Sequence, residues 1–199
     1  MMFQPEVKLE FVRRYCPPAD GWEIFVDIDA SEEGRTGKER ESLEAIRRQS
    51  QMKKDAKRVR RELALLGVTV GGSRAKWFRE RGIPAIEGDR DVVAVNSAKC
   101  ACVIVEVEGA SSGQPEQKLY KAIGQIVMAA NNRPLDGWNQ ALVLVVYGDK
   151  IAAHLKHANA LVKIGISALA LANDRKADRW LFQDVGLPKL LGPSGGSTV

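Results

Sequence analysis

Hydrophobic and polar positions in this chain follow two rhythms, one of period two and one near three and a half. The clearest two-residue rhythm runs from Gly88 to Gly109, GDRDVVAVNSAKCACVIVEVEG. One apolar run is opened by Asp91 and a second extends from about Cys100 to Glu108, with the polar turn Asn96-Ser97-Ala98-Lys99 between them. The β-branched density of Val103, Ile104, Val105 and Val107 favours strands, so this stretch predicts a hairpin. Residues 5–15 and 22–30 alternate as well, with Val7, Leu9 and Phe11 on one face and Ile24, Val26 and Ile28 on another. They predict a strand pair around the Cys16–Gly21 turn. Ala141 to Tyr147 is an unbroken apolar run, as in a strand buried on both faces. Residues 83–87 predict a short strand, and Lys163 to Ala172 a last one.

The helical rhythm dominates elsewhere. Residues 38–66 contain no Gly or Pro, and Met52, Ala56, Val59, Leu63 and Leu66 form one apolar stripe before Gly67. Residues 74–81 predict a short basic helix, with Trp77 and Phe78 as core anchors. Residues 115–130 predict an amphipathic helix that opens on Pro115 and turns Leu119, Ile123, Ile126 and Val127 inward. A further helix is expected from Gly148-Asp149 to about Leu161. The strand–helix–strand order of residues 141–172 implies a parallel pair with a right-handed crossover. The class is therefore α/β: a mixed sheet of about five strands flanked by helices, with an N-terminal strand pair and a long basic helix. Residues 1–66 form the N-terminal strands and long helix, packed on or extending the core; 67–191 form that α/β core; 192–199 form a flexible tail.

Charge changes the picture. The chain of 199 residues carries a net +5, and residues 35–81 hold fifteen Lys/Arg against six Asp/Glu. On the long helix, Arg47, Arg48, Lys53, Lys54, Lys57, Arg58, Arg60 and Arg61 form a basic surface suited to a nucleic-acid backbone. A solvated helix or a partner-subunit contact is the alternative. No apolar run reaches the ~18 residues of a membrane span, so no membrane association is expected. The N-terminus lacks a signal-peptide core. Three cysteines make no disulfide framework, which points to a reducing, cytoplasmic setting.

Candidate chemistry centres on the hairpin. Glu106 and Glu108 share a strand face, about 7 Å apart along the strand, and pairing would bring Asp91 near Glu106. Three converging carboxylates call for a divalent cation, and hard oxygen ligands select Mg²⁺ or Mn²⁺. The alternative is a charged hairpin edge that resists strand addition. Glu23, Asp27 and Asp29 also share a face, expected to be solvated. Gly34-Arg35-Thr36-Gly37-Lys38 fails as a phosphate loop, because Glu32 stands where the first glycine belongs. Cys100, Cys102, His154 and His157 have no zinc-site spacing, and both cysteines are expected to be core.

Asp91, a spacer, then Glu106-Val107-Glu108 followed by a helix resembles the PD-(D/E)XK nuclease superfamily over roughly residues 83–147. That resemblance implies a restriction-endonuclease-like fold and a metal-dependent DNA endonuclease. Asp91 and Glu106 would hold Mg²⁺ or Mn²⁺, and Gln125 on the following helix would support the site. The family's motif ends in Lys where this chain has Glu108. Some restriction endonucleases resembling the family also carry Glu there. Glu108 would then act as base or further metal ligand, with Lys118 or Lys121 reaching in from the helix. Glu41, Glu44, Glu62 or Glu80 could add a carboxylate from a helix. A two-fold-symmetric DNA target would imply a homodimer. The alternatives are a non-catalytic nucleic-acid-binding protein that retains the fold, and a protein-interaction subunit.

Overall fold

The computed structural model describes residues 2–28, 43–83, 90–110, 115–130, 137–155, 158–182 and 187. The expected helix start at 38–42, the expected strand at 84–87, His157 and the 192–199 tail lie outside the described residues, as does the side chain of Arg48.

The architecture is α/β, a mixed sheet with helices on both faces. Helix α1 (Gln4–Tyr15) is followed by strand β1 (Glu23–Val26), the long helix α2 (Leu43–Leu65), short strand β2 (Thr69–Val70) and helix α3 (Arg74–Glu80). Strands β3 (Val92–Asn96) and β4 (Ala101–Glu108) form the hairpin. Helix α4 (Pro115–Ala130) leads to β5 (Asn139–Tyr147). Helices α5 (Asp149–Leu155) and α6 (Asn159–Lys163) lead to β6 (Ile166–Leu171), and β7 (Arg179–Trp180) closes the edge. The seven described strands run in the order β2-β1-β3-β4-β5-β6-β7. The pairs β1–β3 and β3–β4 are antiparallel, while β4–β5 and β5–β6 are parallel.

Alternation along the central strands divides the core in two. Val26, Val92, Ala94, Val103, Val105 and Val143 face α1 and α2, against Val7, Phe11, Val12, Val59 and Leu63. Phe25, Val93, Ile104, Leu144 and Val146 face α3, α4 and α5, against Trp77, Phe78, Leu119, Ile126 and Leu155. All eight residues of β4 are buried, as a central strand covered on both faces requires.

Several expectations are corrected. Residues 5–15 are a helix, not a strand. Pro5 near the helix start, Glu6 in the first turn and Arg13 and Arg14 in the last are helix-end signals that fit the backbone dipole. The apparent alternation arose because Val7, Lys8, Leu9, Phe11 and Val12 are all buried, so more than one stripe of α1 is covered. Consequently β1 pairs with β2 and β3 rather than with an N-terminal strand. The sheet has seven strands, not about five, because β2 and β7 are two-residue edges too short for a periodic signal. Ile83 precedes β3 outside any strand. The helix expected over 149–161 is two short helices, α5 and α6.

Candidate functional site

The hairpin register places the carboxylates. Val92 pairs with Val105, so continuing the antiparallel register by one residue sets Asp91 opposite Glu106. On the other side Val26 pairs with Val92, and the Asp27 amide donates to the Asp91 carbonyl at 2.9 Å. Asp27, Asp91 and Glu106 thus stand in a row across three strands at one end of the sheet. Glu108 lies two residues beyond Glu106, on the same strand face.

These residues line one cavity of about 290 Å³ between α1 and α4. Gln4, Lys8, Asp27, Arg90, Asp91 and Glu106 line its inner part. Glu108, Lys118, Lys121 and Gln125 also line it, the last three from α4. The two lysines are exposed, and Gln125 is half-buried. The five carboxylate-motif and α4 residues expected from the sequence therefore share one cavity with Gln125.

Sequence reasoning missed the contribution of α1. Lys8 is 1 % exposed. Its ammonium lies 2.7 Å from Asp91 Oδ1 and donates to the Asp27 carbonyl at 2.6 Å. One turn earlier, Gln4 Nε2 donates to the Val107 carbonyl at 2.9 Å and, at 3.3 Å, to Asp91 Oδ2. The other bond to Asp91 Oδ2 comes from the Val107 amide at 2.7 Å. Gly109 makes the approach possible. A Cβ there would fall 2.3 Å from the Gln4 nitrogen, and the Ala110 amide bonds the Met2 carbonyl at 2.9 Å. Pairing at i and i+4 on a helix was the signal that could have found Gln4 and Lys8 together. Asp27, expected to be solvated, lines the cavity instead, while Glu23 pairs with Arg81 at 2.7 Å and Asp29 lies outside the described residues.

The carboxylates are not electrically equivalent. Burial pushes the Glu106 carboxyl up to about 8, helped by the nearby charge of Asp91 and opposed by Arg90 and Lys8. Arg90 Nη1 sits 3.5 Å from Glu106 Oε1, yet that oxygen accepts no hydrogen bond. Glu108 is pushed up to about 7, again chiefly by burial, with Lys118 drawing it back. Both side chains are nearly inaccessible, at 2 % and 5 %.

The carboxylates of the cavity are hard oxygen donors, the kind that Mg²⁺ or Mn²⁺ prefers, and Glu106 Oε1 is a buried acceptor without a hydrogen bond. Among the described residues, however, no three Asp, Glu, His or Cys side chains are drawn together as a ligand group. Lys8 and Arg90 hold the carboxylates in their present positions.

The remaining expectations divide. On α2, Arg47, Lys53, Lys54, Lys57 and Arg61 are exposed. Arg58 instead pairs with Glu6 and Glu62, and Arg60 donates to the Ile28 carbonyl at 2.8 Å. Both tie α2 to the body of the fold, so they leave the proposed phosphate-facing set. Of the helix carboxylates weighed as extra ligands, Glu62 bonds Arg58 and Arg13, and Glu80 lies 3.7 Å from Lys76; neither lines the cavity. Cys102 is buried, but Cys100 is exposed, in a left-handed turn at φ 45°, so only one of the two cysteines is core. His154 faces Glu116 at 3.7 Å, away from both.

No helix among the described residues is long and apolar enough to cross a membrane. No protein-family model, curated protein or solved structure matches the chain.

Proposed function

We propose that this chain is a metal-dependent endodeoxyribonuclease of restriction type that hydrolyses phosphodiester bonds. The observation that carries the reading is the meeting of Asp91, Glu106 and Glu108 with Lys118 and Lys121 in one cavity at the end of the β3–β4–α4–β5 unit. Asp91 at the start of one strand, Glu106 and Glu108 at the end of the next and a helix after them is the order that the Asp…Glu-x-Glu resemblance implies.

Asp91 and Glu106 would hold Mg²⁺ or Mn²⁺, with Glu108 as a further ligand or as base. When bound, the ion supplies charge stabilisation for the phosphoryl group and acidifies water. The chain's own residues do the rest. Glu108, whose carboxyl burial holds above the ordinary carboxylate range, is suited to accept a proton from water. Lys118 and Lys121 stand exposed at the mouth, where a phosphodiester would enter. Gln125 lines the wall beside them as a hydrogen-bonding support. Arg47, Lys53, Lys54, Lys57 and Arg61 offer backbone contacts along α2, and a homodimer would match a two-fold-symmetric target.

A second reading, DNA binding without cleavage, draws on the cations already paired to the carboxylates, Lys8 with Asp91 and Arg90 with Glu106. Incubation of plasmid and phage DNA with Mg²⁺ or Mn²⁺ separates the two. The wild type should yield fragments, and Asp91→Asn and Glu106→Gln should cut at least about 100-fold more slowly. Retention of DNA in a gel shift with no cleavage by the wild type would leave the binding reading in place.

A further inference from the structure

We infer that Lys8, delivered by α1, supplies the fixed ammonium that the Glu106-x-Glu108 strand lacks, which makes the N-terminal helix part of the hydrolytic site. This inference rests on the phosphodiesterase reading and deepens it.

Hydrolysis adds one water across a P–O bond. The water's oxygen forms the new bond to phosphorus while its proton goes to a carboxylate. The bond to the leaving sugar oxygen breaks, and that oxygen takes a proton from solvent. Negative charge grows on the phosphoryl oxygens in between. A cation held rigidly beside them lowers the barrier, because it is already oriented when the charge appears.

Strand β4 provides no such cation, since Glu108 occupies its last position. Lys118 and Lys121 are exposed, so water screens them and their long side chains are unfixed. Lys8 differs on each count. Its stem is buried, its ammonium is fixed by the Asp27 carbonyl and Asp91, and it lines the same cavity. Its placement is also built. Gly109 admits the start of α1 against the end of β4, and Gln4 fastens that start to Val107. Gln4, one turn before Lys8, donates to the same carboxylate, so two side chains of α1 converge on Asp91.

The test compares wild type, Lys8→Met, Lys8→Gln and Lys8→Arg, with single-turnover cleavage of a DNA duplex. Circular dichroism and thermal melting report folding, and Mn²⁺ titration calorimetry reports metal binding without reference to cleavage. Lys8→Met should lose about 100-fold or more in rate while Mn²⁺ still binds. Lys8→Arg, which keeps a cation beside Asp91, should cleave at least about 10-fold faster than Lys8→Met. If Lys8→Met does not fold, the milder Lys8→Gln carries the same expectation. Cleavage by folded Lys8→Met or Lys8→Gln at the wild-type rate would overturn the role of Lys8 and leave the nuclease reading intact. Loss of Mn²⁺ binding in step with cleavage would overturn it too, reducing Lys8 to a prop for Asp91. No cleavage by the wild type would overturn both.

Discussion

At the scale of single residues, the strand rhythm made the carboxylates visible and hid their cationic partners. Asp91, Glu106 and Glu108 could be placed because a strand repeats every two residues and a hairpin fixes who faces whom. Lys8, Gln4 and Asp27 could not, since their roles depend on contacts 87 and 103 residues apart in the chain and on a backbone carbonyl. Buried carboxyls also carry a consequence for stability. Glu106 and Glu108 are pushed up to about 8 and about 7 from an ordinary 4.5, so between those values the folded chain binds more protons than the unfolded one. Stability is therefore fully present below about 4.5 and is lost as pH rises through the raised values, at up to about 1.4 kcal/mol per pH unit for each carboxyl. Thermal melts in EDTA should show the midpoint falling by about 10 °C or more between pH 5.5 and 8. Glu106→Gln/Glu108→Gln should flatten that slope.

At the scale of elements, α1 decides how the site is built, and it was the element the sequence misrepresented. Its composition satisfies two periods at once. A strand accounts for Val7, Leu9 and Phe11, whereas a helix accounts also for Val12, for Lys8 and for the charges at its ends. The other end of α1 is anchored as firmly as its start. Arg14 and Tyr15 both bond Asp178, which also accepts from the Ala172 amide. The helix is thus clamped at both ends, between β4 and the β6–β7 connection. Gly109→Ala tests the first clamp. The added methyl meets backbone atoms of Phe3 and Gln4, which cannot rotate away as a side chain could. Urea denaturation should show a loss of about 2–3 kcal/mol, and cleavage should fall with it, although residue 109 carries no functional group. Helices α2 and α4 were legible because each covers one face only, and the hairpin because its turn is polar and its strands β-branched. Strands β2 and β7 were not, because two residues hold no period.

At the scale of the whole molecule, the cations of α2 divide between those tied to the rest of the fold and those turned to solvent. Arg58 and Arg60 on α2 are tied to Glu6, Glu62 and the Ile28 carbonyl, and their loss should weaken folding. Lys53, Lys54 and Lys57 face solvent. Replacing those three by Gln should leave the melting temperature within a degree or two, consistent with exposed positions. The same change should weaken DNA binding evenly across sequences. The slope of log affinity against log salt should shrink by about one for each lysine that meets a phosphate, as fluorescence anisotropy over a salt series would show. The reach of α1 to the hairpin has a further meaning in time rather than space. Gln4 and Val107 meet only after a loop of about a hundred residues has closed, and contacts of such span tend to arrive late in folding. A hairpin that has formed before α1 docks holds its acidic side chains with no ammonium among them. The pocket is whole only once Gln4 and Lys8 have docked on the hairpin, so the chemistry proposed for it belongs to the finished fold.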